Sequence, residues 1–187
     1  MALDKTSKTE TQYSVSSGLA KRLASLKLSF AFTSYQSGLL YLIGVKPEGG
    51  VNIHQMAFHR PMGIHRHGVH GLSIAAGDQI LHLQNVLDPA ERMSGTFDAG
   101  FMPRQSEFTG QLDQHDLGID ADGRSIFVNT RFNCLATPDP RHSFAEVWRP
   151  PFISALVSED RCHLNGLAMQ DGTPRYVTAS HQRCRIC

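Results

Sequence analysis

The sequence predicts an all-β protein, built as a partial β-propeller-like meander of about three blades. From residue 30 onward, short runs of aromatic and branched residues alternate with turn residues, as in FAFTSY (30–35), LLYLIG (39–44) and VNIHQMAF (51–58). In addition, a weak repeat recurs three times at intervals of about 50 residues, which is the size of a propeller blade. A two-layer β-sandwich also contains many short strands, but it does not explain why the same opening recurs.

The repeat consists of a glycine and an aliphatic residue, a short polar stretch, a second glycine and an apolar strand. Its three copies are RPMGIHRHGVHGLSI (60–74), HDLGIDADGRSIFV (115–128) and HLNGLAMQDGTPRYV (163–177). The second glycines are Gly68, Gly123 and Gly172. We expect them to supply the positive φ that a tight hairpin turn requires.

Further strands are predicted after the first two copies, at QILHL (79–83), CLAT (134–137) and FAEVW (144–148). On this count the first blade lacks its first strand, the next two are complete, and a fourth starts at His163. A closed propeller needs about four to eight blades. The chain is therefore expected to be a fragment or to be completed by other copies, and its open sheet edges favour self-association.

The chain divides into three regions by composition. Residues 1–25 contain a polar tail to about residue 15, which is predicted to be disordered, and then the start of a short amphipathic helix. Residues 26–179 contain the predicted blades. Residues 180–187 are basic and rich in cysteine, with no strand pattern, as expected after a truncation or a frameshift.

Charge and composition exclude several classes of protein. The net charge of +1 does not favour nucleic acid or a membrane surface as a partner. No apolar run approaches the ~20 residues of a membrane span, and four cysteines are too few for a secreted disulfide framework, so we expect a cytoplasmic protein. The sequence also lacks GxSxG, Walker A, GxGxxG and HExxH motifs, which disfavours the enzymes built on them.

Residues 127–169, FVNTRFNCLATPDPRHSFAEVWRPPFISALVSEDRCHLNGLAM, resemble the signature of an uncharacterised family of bacterial conserved hypothetical proteins. The segments 30–44, 60–63 and 101–117 are similar to earlier parts of that family. The resemblance implies that this chain corresponds to the N-terminal half of a longer propeller-type protein. GIHRHGVHG (63–71) departs from the family in its histidine content, and the tail SHQRCRIC does not match it.

Candidate site residues follow from aligning the three repeats on their first glycines. The residue three places before the glycine is then Arg60, His115 or His163. The first strand of each blade begins at one mouth of the central channel, so these side chains are expected to converge there, with Asp116 and Asn165 beside them. Imidazole, carboxylate and amide oxygen can hold a divalent cation, and His with Arg can hold an anionic group. Alternatively, Asp116 and Asn165 only cap turns through backbone hydrogen bonds.

More distantly, the repeats resemble those of six-bladed lactonase-type and NHL-type propellers. In the lactonase group an Asn in a P-N-G-L segment binds a divalent metal, and Asn165 in Leu164-Asn165-Gly166-Leu167 resembles it without the preceding Pro. Only the Asn165 ligand position follows from this resemblance. If the protein hydrolyses its ligand with metal assistance, we expect Asp116 and Asn165 as metal ligands and His115 or His163 as the catalytic base. Glu159, Asp160 and Arg161 precede His163 and either form a local ion pair, which is the commoner case, or orient that ring.

For two further groups of residues we favour a structural role over a functional one. His65, His67 and His70 have a possible metal-ligand spacing but are expected to form a solvated hairpin. Cys134 and Cys162 are expected to be buried free thiols, and the Cys184–Cys187 pair to be incidental.

The sequence thus predicts binding of a small polar molecule at the channel mouth, with metal-assisted hydrolysis as a possible extension. The alternative is a non-catalytic platform for protein interactions.

Overall fold

The computed structural model describes residues 12–180, which contain one helix and thirteen strands. The elements are α1 (Leu19–Leu26), β1 (Phe30–Ser34), β2 (Leu39–Val45), β3 (Val51–Ala57), β4 (Pro61–His67), β5 (Gly71–Ala76), β6 (Gln79–Asn85), β7 (Phe101–Phe108), β8 (Gln114–Ile119), β9 (Ser125–Asn129), β10 (Cys134–Thr137), β11 (Ala145–Trp148), β12 (Leu164–Gln170) and β13 (Thr173–Ala179). Within 12–180, no helix combines the length and the apolar character needed to cross a membrane. The Cys184–Cys187 pair lies outside the described residues.

The strands form four antiparallel sheets in which every strand pairs with its neighbours along the chain. Sheet 1 contains β1–β3, sheet 2 contains β4–β7, sheet 3 contains β8–β11 and sheet 4 contains β12–β13. None of these sheets closes into a barrel. The predicted all-β, propeller-like partial meander is confirmed.

The first strands of successive sheets lie beside one another, since β8 contacts both β4 and β12. The second strand of a sheet also contacts the first strand of the next one, as β5 contacts β8 and β9 contacts β12. β1 contacts β4 in the same way, so it takes the place of a second strand. Within residues 12–180, sheet 1 therefore contains no strand equivalent to β4.

Apolar clusters join each sheet to the next. Leu40 and Ile74 lie in the cluster between sheets 1 and 2, and Phe127 lies with Ile80 between sheets 2 and 3. Leu164 and Val128 lie between sheets 3 and 4. The other face of sheet 1 packs on α1, whose amphipathic pattern buries Leu23. Each of the three clusters between sheets contains residues from two sheets. The apolar residues that alternate along the strands therefore hold the stack together.

The repeated glycines serve two purposes. The second glycines adopt positive φ in their hairpins, at 59° for Gly68, 82° for Gly123 and 71° for Gly172, so that prediction is confirmed. Gly63 instead allows a close approach, because a Cβ there would lie 2.8 Å from the backbone Cα and C of Asp116. The contact between β4 and β8 therefore requires glycine at position 63.

Candidate functional site

The first strands of sheets 2, 3 and 4 start in the same way. In each first hairpin, the pairing register shifts by one residue between the first and the fourth residue of that strand. This common bulge makes Pro61, Gln114 and Leu164 structurally equivalent. The residues just before them are therefore equivalent as well, and they lie at one end of the stack, which we call the mouth.

The structural alignment differs from the alignment on the first glycines. Arg60 and His163 are equivalent as predicted, but the third residue at this position is Asp113 rather than His115. His115 lies two places further along and is equivalent to Asn165. The sequence alignment was wrong there because Gly118 is not the counterpart of the other first glycines.

All three residues at the mouth position have left-handed backbone, although none is glycine. Their φ values are 47° for Arg60, 51° for Asp113 and 46° for His163. This conformation costs a non-glycine residue about 1–2 kcal/mol. Such outliers are concentrated at functional sites, where a particular side chain is needed despite the strain.

The mouth side chains form one connected group. We name it the mouth cluster, and its members are Tyr35, Arg60, Asp113, His115, Asp160 and His163. Arg60 Nε donates to the Tyr35 hydroxyl at 2.9 Å, and its guanidinium lies 5.0 Å from the centre of that ring. Arg60 Nη2 also approaches Asp113 Oδ1 at 3.3 Å. Because both partners of this ion pair are about 40% exposed, it adds little to stability.

The second half of the cluster is a pair of histidines with a carboxylate. The rings of His115 and His163 meet edge to face, with centroids 4.9 Å apart. His163 Nδ1 lies 2.6 Å from Asp160 Oδ2, and its backbone N–H donates to Asp160 Oδ1 at 2.7 Å. A carboxylate can only accept, so Nδ1 carries the hydrogen and Nε2 keeps a free lone pair. Asp160 thus orients His163, while Arg161 pairs separately with Glu159 at 3.1 Å.

His115 is poised to remain neutral. Burial lowers the pKa of its imidazole, and the neighbouring His163 lowers it further, against the opposing charges of Asp113 and Asp160. A neutral ring offers one acceptor and one donor at the mouth.

An open cleft of about 450 Å³ adjoins the mouth cluster. Its walls are Thr33, Tyr35, Pro61, Met62, Asp113 and His115. This volume is within the range of small-molecule sites. Tyr35 and Asp113 were not singled out from the sequence, since Tyr35 belongs to another sheet and only the strand packing brings it to Arg60.

Asp116 has a different environment from the one expected of a metal ligand. Its Oδ1 accepts from the Leu117 N–H at 2.9 Å, and its Oδ2 accepts from the Leu167 N–H at 2.8 Å. Burial raises the pKa of this carboxyl, while these two N–H groups oppose the rise. Both oxygens therefore accept backbone N–H groups, and the bond from Leu167 to Oδ2 ties β8 to β12, in line with the capping alternative.

Asn165 is exposed at the start of β12. Across residues 12–180, no group of three or more His, Cys, Asp or Glu side chains is arranged to hold a metal ion. Asp116 and Asn165 gain no such group of neighbours in that part of the chain, so their role as metal ligands stays a prediction.

The remaining candidates are placed as follows. His70 is exposed as expected. His65 and His67 are half-buried, with His65 facing Asp116 of sheet 3, so the hairpin is only partly solvated. Cys134 and Cys162 are buried free thiols, as predicted. They belong to different apolar clusters, so they do not face each other.

Comparison with known proteins gives a family and no activity. Residues 17–184 match the family described as Domain of unknown function (DUF4915). These limits are wider than 26–179 at both ends. Searches among curated proteins and among solved structures found no match. The match covers most of the chain, which therefore belongs to the DUF4915 family.

Proposed function

We propose that this protein binds a small polar molecule at the mouth cluster, and that the preferred ligand carries both an acidic group and hydroxyl groups. The observation that supports this most directly is the left-handed backbone of Arg60, Asp113 and His163. Three equivalent positions where glycine would be favoured instead hold side chains that can bind a ligand.

The charges of the cluster suggest how the ligand is held. The Arg60 guanidinium points to a carboxylate or phosphate, because its fork of N–H groups matches two acidic oxygens. Asp113 can accept from hydroxyl groups of the ligand. His163, with its Nδ1 hydrogen held by Asp160, is suited to accept a proton at Nε2 from a hydroxyl or a water molecule. Proton abstraction by His163 is therefore the catalytic step we assign if the protein turns its ligand over.

Titration by NMR tests the binding proposal, with gluconate as the probe and with glucose and inorganic phosphate as comparisons. We expect gluconate to shift the ring signals of His115 and His163 at lower concentration than glucose or phosphate. Loss of Arg60 removes a charged hydrogen bond of about 1.5–3 kcal/mol, so Arg60→Gly is expected to weaken gluconate binding about tenfold or more.

The same variants separate function from folding. Glycine relieves the left-handed strain at Arg60 or His163 but adds freedom to the unfolded chain. The free energies of unfolding of Arg60→Gly and His163→Gly should therefore lie within about 1 kcal/mol of the wild-type value. Asp171→Gly is the matched control, since Asp171 has φ 51° in the β12–β13 hairpin. It should keep both stability and binding.

Two results would count against the proposal. If Arg60→Gly and His163→Gly destabilise the protein by several kcal/mol while Asp171→Gly does not, those residues serve the fold. If both variants keep full gluconate binding, the ligand does not use the mouth cluster.

A further inference from the structure

A second polar cluster lies between sheets 2 and 3 and is separate from the mouth cluster. Its centre is His82 on β6, which is 14% exposed. His82 Nδ1 lies 2.8 Å from the hydroxyl of Ser73, and Nε2 lies 2.8 Å from Glu107 Oε2. The Ser125 hydroxyl, on β9 of sheet 3, donates to the same Glu107 oxygen. This interface cluster therefore connects the two sheets through a chain of hydrogen bonds.

His67 completes the interface cluster, but it does not take part in the chain. Its ring centre lies 6.3 Å from that of His82, and its Nε2 is buried and has no hydrogen-bond partner among residues 12–180. A buried polar atom without a partner costs about 1–3 kcal/mol. The pairing of His67 with Gly71 and of Ser73 with His82 puts His67 on the face of sheet 2 that carries the interface cluster, so water would reach its ring if that face opened.

We propose that the interface cluster is an acid-sensitive joint, at which proton uptake by His67 separates sheet 2 from sheet 3 under mildly acidic conditions. In the closed form a proton on His67 would be partly buried beside His82. In the open form water solvates the charge. The closed and open forms thus differ in their affinity for a proton, which is the requirement for a pH-driven switch.

The groups around His67 determine the direction of the effect. Burial lowers the pKa of His67 from its usual 6.5, and His82 and His65 lower it further. Ser73 and Ser125, on β5 and β9, contribute only hydroxyls. The carboxylates at this interface are Glu107 on β7, which is held by His82, and Asp116 on β8, which interacts with His65.

Because the folded form holds the proton on His67 less tightly than the open form, the closed state has its full stability above pH 6.5 and loses it as the pH falls below 6.5. The His82 hydrogen bond lowers the pKa of Glu107 from its usual 4.5, so its contribution is lost only at lower pH. The proposed opening therefore begins with His67.

The two buried cysteines report on opening at two different interfaces. Cys134 lies in the apolar cluster between sheets 2 and 3, and Cys162 lies in the one between sheets 3 and 4. The experiment labels each thiol with 4,4′-dithiodipyridine between pH 7.5 and 5.5, in full-length variants that keep only that cysteine. Rates are divided by those of a free cysteine peptide at the same pH.

We expect labelling of Cys134 to accelerate by up to about tenfold per pH unit for each proton that only the open form binds. Labelling of Cys162 should stay nearly constant. His67→Gln should flatten the acceleration at Cys134, whereas His70→Gln, on the same hairpin but exposed, should leave it unchanged. Glu107→Gln provides a second variant and should raise the Cys134 rate already at neutral pH, since it removes the charge that His82 binds.

The proposal is overturned if Cys134 and Cys162 accelerate together, which would indicate global unfolding. It is also overturned if neither rate depends on pH, or if His67→Gln keeps the wild-type acceleration.

Discussion

Replacement of Gly63 by alanine tests the close packing of first strands on which the mouth cluster depends. The added Cβ would lie 2.8 Å from the backbone of Asp116 and 3.0 Å from Leu117 Cδ2. Because backbone cannot rotate away, β4 and β8 must move apart. Overpacking of this kind costs about 1–3 kcal/mol, and the reduced freedom of the unfolded chain returns about 0.4–1 kcal/mol. We expect a net loss of about 1–2 kcal/mol, which lowers the Tm by about 2–8 °C at this chain length.

Gly118→Ala is the matched control for Gly63→Ala. Its Cβ would lie 2.5 Å from Met169 Cγ, but that contact is a flexible side chain that can adopt another rotamer. We expect it to cost less than about 1 kcal/mol. Urea denaturation followed by circular dichroism measures both variants. If Gly63→Ala lowers the free energy of unfolding no more than Gly118→Ala does, the backbones of β4 and β8 do not approach closely at Gly63.

Three further predictions concern the residues that hold the sheets together. Asp116→Ala leaves the Leu167 N–H without its acceptor, so we expect the free energy of unfolding, measured by urea denaturation, to fall by about 2 kcal/mol. Asp116→Asn should lose less. Equal losses would contradict the role of Oδ2. Asn133 is 1% exposed, and its Oδ1 accepts from the Cys162 N–H at 2.9 Å. Asn133→Ala should therefore lower the free energy of unfolding by about 2–3 kcal/mol in the same assay. A cost below about 0.5 kcal/mol would refute this role. Burial raises the pKa of Cys134 to about 12, so at pH 9 iodoacetamide should alkylate it far more slowly in the native protein than in urea; similar rates would contradict its burial.

Local sequence patterns were sufficient for most of the strands and for the hairpin turns. Gly123 and Gly172 were identified because a positive φ is a property of the glycine itself and its immediate neighbours. The strand β7 (Phe101–Phe108) was not predicted, and its residues are mostly exposed at a sheet edge. Without a buried face, such a strand lacks the alternation that marks strands in a sequence.

The candidate site was predicted only in part. His115 and His163 were expected near each other, and the structure places their rings together. Asp113 was missed because the sequence alignment relied on Gly118, whereas the pairing registers of the three hairpins make Asp113 the equivalent of Arg60. The interface cluster was missed entirely, since Ser73 and Ser125 are ordinary residues until two sheets bring them to His82 and Glu107.

The sequence by itself determined the elements that depend on neighbours along the chain, which are the apolar alternation of the strands and the glycine turns. Only the tertiary structure decided which side chains share a surface. Contacts between sheets form across gaps of tens of residues, as between Tyr35 and Arg60. The pairing registers of the three hairpins make Asp113 rather than His115 the equivalent of Arg60, and local sequence pattern does not specify those registers.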